Sequence, residues 1–91
     1  MDIQINMVSA ASEVFNYTKK NPNAIHEEVF QHVSDYISEG TKTKDLKIKL
    51  AMIAAAGKAF EMAKNNRGLT EKELLKLFME QIPYILETIS E

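Results

Sequence analysis

Ala51, Ala55, Ala59 and Ala63 recur every fourth residue along residues 46–63, with Gly57 among them. On a helix this spacing lays small side chains in a shallow ridge, over which a neighbouring helix can approach more closely than over large ones. Projected at 100° per residue, the ridge winds from beside Lys58 to the far side of an arc holding Ile48 and Met52. It therefore cannot form one straight seam. Either it packs two different helices of its own chain, or part of it faces another chain.

The rest of the sequence divides into three further amphipathic stretches. The first, residues 2–20, places Ile3, Met7, Ala10, Val14 and Tyr17 on one face. The alternation of Ile3, Ile5 and Met7 also suits a short strand, which leaves its start open. Asn21-Pro22-Asn23 ends it, because a residue before proline avoids helical angles. Pro22 itself suits a first helical turn, so a second helix is expected over residues 22–39, with Ile25, Val29, Val33, Tyr36 and Ile37 inward. Gly40 follows as a helix stop.

The third helix is expected over residues 43–67, with Thr43 as its N-cap and Gly68 just past its end. Thr70-Glu71-Lys72-Glu73 is a capping box that starts the fourth, with Leu69 and Leu74 placed as a hydrophobic staple. Pro83 removes a donor and crowds the carbonyl of Met79, which predicts a kink or short break near residues 81–82. The connections are short, and short connections favour antiparallel neighbours. The expected fold is all-α: one domain over residues 1–91, a compact antiparallel four-helix bundle running up-down-up-down, its last helix kinked near Pro83.

Catalytic signatures are missing. There is no cysteine, which excludes disulfides, thiolate catalysis and cysteine-ligated metals. The glycines Gly40, Gly57 and Gly68 are dispersed, so no glycine-rich loop can cradle a phosphate. No Asp or Glu is followed three residues later by Asp, Glu or His, the spacing that helical di-metal sites require. His26 projects among Phe30, Val33 and Ile37 without an acid one turn away, and reads as a partly buried packing residue. His32 aligns with Glu28 and Asp35, and reads as one member of an exposed, paired helix face rather than a metal ligand. Neither a cofactor nor an enzymatic activity is expected.

Charge is blocked along the chain, at −4 over residues 1–41, +5 over 42–68 and −3 over 69–91. The basic block concentrates Lys42, Lys44, Lys47 and Lys49 ahead of the alanine ridge. Such a cluster could meet an anion, an acidic protein or a phosphate backbone. Against nucleic acid stand the single arginine, Arg67, the lack of interleaved aromatics and the net charge of −2. The first residues lack the basic start and apolar run of a signal peptide, and no apolar run approaches the roughly 20 residues of a membrane span. A cytoplasmic protein without membrane contact is expected.

The third helix carries two apolar arcs, one with Leu46, Leu50, Ile53 and Phe60 beside Gly57, the other with Ile48, Met52, Ala55, Ala56, Ala59, Met62 and Ala63. Together they cover roughly two-thirds of its circumference, more than one helix–helix seam needs. Either the helix is central and touches two or three neighbours within its own chain, or the second arc, whose Met52 and Met62 adapt well to such surfaces, is the interface with a second copy or another protein. Leu77 and Tyr84 form a smaller flank on the last helix that could join it. The expected function is a small non-catalytic interaction module that self-associates. The alternative is an accessory binder of nucleic acid or of an acidic protein, such as an antitoxin- or immunity-type neutraliser, acting through the lysine cluster.

Overall fold

Local signals set the four helices, and each end has an identifiable cause. The computed structural model describes residues 3–40 and 45–89. Helix α1 spans Ile3–Lys20, α2 His26–Gly40, α3 Leu46–Asn65 and α4 Glu71–Ile89. The alternation at the start of α1 is helical, with Met7 buried and Ile5 exposed. Helix α2 begins four residues later than the position of Pro22 suggests. The Asn21 carbonyl accepts from the Ala24 N–H at 2.9 Å, closing a turn around the proline. Glu28 then reaches back to the Ile25 N–H at 3.1 Å, and the helix starts from there.

Asp45, rather than Thr43, caps α3. Its backbone is extended and its carboxylate accepts from the Lys47 N–H at 2.9 Å; Thr43 lies outside the described residues. At the other end the helix stops at Asn65, two residues short of the expected end. Asn66 leaves helical angles and its side-chain amide donates to the Met62 carbonyl at 2.9 Å.

The capping box of α4 forms as its residues dictate. The Glu73 N–H donates to the Thr70 hydroxyl at 3.2 Å, and the Thr70 N–H donates to Glu73 Oε1 at 3.0 Å. Leu69 packs against the core that buries Leu74. The Thr70 backbone N–H, then its hydroxyl, hold the Glu73 carboxyl below its usual range, with Lys19 adding to the effect. A depressed folded value means that this interaction supports the fold above about pH 4.5 and is lost as pH falls through the folded value. Thr70→Ala is expected to cost about 1 kcal/mol in urea denaturation at neutral pH. Glu73→Gln is expected to flatten the acid side of the stability–pH curve.

No break occurs near Pro83. Helix α4 runs through it continuously, and the proline sits on the exposed face, where water can serve the carbonyl that its ring leaves without a donor.

Cross-helix contacts fix the directions. His32 of α2 meets Glu13 and Tyr17 of α1, and His26 and Phe30 of α2 meet Phe60 and Gly57 of α3, so α2 runs antiparallel to both. Ser12 of α1 reaches Glu71 at the start of α4, and Lys19 reaches the Leu69 carbonyl just before it. The bundle is therefore up-down-up-down. Its radius of gyration, 12.2 Å, is that of a close-packed chain of this length.

The helices are not arranged as an even square. The parallel pair α1 and α3, a diagonal in such a bundle, make the most intimate contact, while among the described residues the backbones of α2 and α4 do not approach each other closely. Small side chains account for this: Ala10 and Ala11 on α1, and Ala51, Ala55 and Ala59 on α3, are all fully buried. With no large side chains to hold them apart, the two helices close the diagonal and displace α2 and α4 to opposite sides. Phe15, Phe78, Met7 and Met52 fill the spaces around this seam. The alanine ridge is thus the centre of the molecule.

Candidate functional site

The fold turns the second arc of α3 inward. Ile48, Met52, Ala55, Ala56, Ala59 and Met62, expected as an interface, are buried within their own chain, and Ala63 is half-buried against the same core. They have almost no surface to offer a partner. The physical reason is the complementary run of small residues on α1, which turns this arc inward. The arc of large residues faces out instead, with Leu46 68%, Leu50 49% and Ile53 41% exposed. Phe60 is half-buried, and the ring of Phe30 covers the Gly57 position, where an added Cβ would lie 3.7 Å from it. Helix α2 therefore shelters only one edge of the arc.

Leu46 and Leu50 consequently stand exposed on one strip of α3 with half-buried Ala54 between the charges, Lys47 near one end and Glu61 near the other. Lys47 and Glu61 are both exposed and stand seven residues on either side of Ala54, close to the same helical face. Glu61 also pairs weakly with Lys58 at 3.8 Å. Leu77 and Tyr84 are exposed on α4, as the sequence suggested.

The basic cluster is only partly placed. Lys47 is exposed and Lys49 half-buried, whereas Lys42 and Lys44 lie outside the described residues.

Neither histidine sits as expected. His32 does not pair along its own helix; its Nε2 lies 3.2 Å from Glu13 Oε1 on α1, and its ring stacks on Tyr17 at 4.4 Å between centroids. Its predicted neighbours are engaged elsewhere, Glu28 with the Ile25 N–H and Asp35 with Gln31 Nε2 at 3.0 Å. The histidine is thus a clasp between two helices. His26 is exposed rather than partly buried, and one side of its ring packs on Phe30 at 4.3 Å and on Phe60 at 5.6 Å. Among the described residues no three His, Asp or Glu side chains are grouped to hold a metal ion.

A feature that the linear sequence does not display lies at the end of the bundle where α1 and α3 finish and α2 and α4 begin. Parallel α1 and α3 bring both turns to this end, and between them lies a cavity of about 750 Å³ that is open to solvent on one side. Phe60, Ala63, Leu69 and Leu74 provide its apolar lining. Lys19, Lys64 and Arg67 are on its rim, with His26 and Glu27 at the start of α2. Lys19 donates to the Leu69 carbonyl at 3.3 Å, which ties α1 to the turn before α4. Lys64 and Arg67 have no carboxylate partner among the described residues. The signal in the sequence that points to it is the pair of bases Lys64 and Arg67 close together at the end of the third helix and in the turn that follows.

A second, shallower groove of about 490 Å³ runs between α1 and α4, along Ile5, Val8, Leu75 and Met79. No helix among the described residues is long and apolar enough to cross a membrane. Compared with family models, curated proteins and solved structures, the chain matches none.

Proposed function

We propose that this protein is a small, non-catalytic intracellular interaction module that pairs with a second copy of itself through the outer face of α3. The observation that carries this reading is the strip of exposed Leu46 and Leu50 beside half-buried Ala54, with charges of opposite sign toward its two ends. Large apolar side chains gathered on one helix face lose contact with water when covered, at about 25 cal/mol per Å². A two-fold contact places the same surface on both sides of the interface. If two α3 helices cross antiparallel with the axis at Ala54, Lys47 of each copy meets Glu61 of the other. Ala54 at the centre permits close approach, and the two Leu50 side chains pack beside it. A parallel arrangement would set lysine against lysine, so the charges select the antiparallel one. The lack of paired acids, nucleophile–base pairs and glycine-rich loops supports the non-catalytic part of the reading.

Sedimentation equilibrium tests it. A dimer is expected, and Lys47→Glu or Glu61→Lys alone should weaken it at least about tenfold, since each change acts twice in a two-fold interface. The double variant Lys47→Glu/Glu61→Lys should restore the dimer, and Leu50→Glu should abolish it with helical circular dichroism unchanged. A folded monomer at millimolar concentration would overturn the reading. So would single charge variants that dimerise as well as the parent protein.

A further inference from the structure

We infer that the cavity at the turn end of the bundle is a binding site for a small organic carboxylate with a flat apolar body. This inference does not rest on self-association, which uses Leu46, Leu50, Ala54 and the Lys47 and Glu61 charges rather than the residues that line the cavity. Its volume, about 750 Å³, falls within the range of small-molecule sites, roughly 300–1,000 Å³. Such sites combine a mainly apolar lining with a few polar groups that fix orientation, and this one has both parts.

The apolar part is defined by Phe60 and Leu74, with Ala63 leaving room between them. His26 and Phe60 already meet edge to face at 5.6 Å, so the wall of the cavity presents aromatic rings in more than one orientation. A flat ring can lie against them, since offset and edge-on aromatic contacts are both favourable. The polar part is Lys64 and Arg67. Neither has an acidic partner among the described residues, while Lys19 is engaged by the Leu69 carbonyl. Rim cations outnumber the single rim acid, Glu27, which sets the sign of the ligand. The guanidinium fork of Arg67 matches the two oxygens of a carboxylate, and Lys64 can neutralise the same group from α3. Both bases are exposed, so neither is needed to hold the fold.

Titration of isotopically labelled protein with 2-naphthoate, followed by amide chemical shifts, tests the site. Saturable shifts are expected around residues 24–27 and 60–69, and neutral 2-naphthylmethanol should bind at least about tenfold more weakly. The double variant Lys64→Met/Arg67→Met should keep its helical circular dichroism and lose a similar factor in affinity for the acid, but not for the alcohol. Absence of saturation at millimolar naphthoate would overturn the inference. Equal binding of acid and alcohol, or shifts confined to the α1–α4 groove, would do so as well.

Discussion

Ala55→Glu is expected to leave the chain unfolded at 25 °C, as read by the loss of cooperative thermal unfolding in circular dichroism. Ala55 is fully buried at the α1–α3 seam, where the two helices lie too close for a longer side chain. A glutamate there must either carry a charge into an apolar interior or force the helices apart. The first costs several kcal/mol and the second adds packing strain. A domain of this size has only about 5–15 kcal/mol in total. Ala54→Glu, one residue away on the partly exposed side of the helix, is the matched control and should fold. Should Ala55→Glu instead fold normally and merely dissociate a dimer, the seam would be intermolecular and the diagonal contact wrong. The pair of adjacent alanines thus separates core from surface on one helix.

The second large effect is expected at Phe78. Its side chain is fully buried where α4 closes on α1 and α3. Phe78→Ala removes its transfer free energy and leaves a cavity that flanking helices can only partly close. A loss of about 3–5 kcal/mol is expected. With a urea dependence of about 1–2 kcal/mol per molar, the unfolding midpoint should fall by roughly 1.5–5 M. Met79→Ala, at the next position but exposed, should change stability by no more than about 0.5 kcal/mol. A Phe78 effect no larger than that of Met79 would mean that α4 is not docked as described.

The sequence made the helices legible wherever the deciding interaction is local. The Thr70–Glu73 capping box reads directly, because both partners lie within one turn and no other segment is needed to form them. The start of α2 at His26 rather than Pro22 is not legible locally, because Pro22 fits two local structures, a first helical turn and a tight turn. The Glu28 side chain decides between them by bonding the Ile25 N–H. At α3 the same competition among neighbouring cap residues was won by Asp45.

Orientation was less legible than existence. That α3 is apolar over most of its surface follows from its own residues, but which arc turns inward depends on α1. Leucine and isoleucine would ordinarily claim the core; Ala10 and Ala11 give it to the alanines instead. The His32–Glu13 contact is hidden for the same reason, since it joins different helices and no fixed spacing announces it. The cavity is hidden more deeply, because its lining is drawn from all four helices and from both turns at that end.

The separation of the α2 and α4 backbones among the described residues bears on how this protein tolerates change. Two sites that share no neighbour and lie well apart contribute to stability additively. A substitution on the outer side of α2 and one on the outer side of α4 act through separate contacts with the central pair. Each flank can therefore be remodelled, lengthened or recharged without a compensating change in the other. Variation should accumulate independently on the two sides, while α1 and α3 must change together.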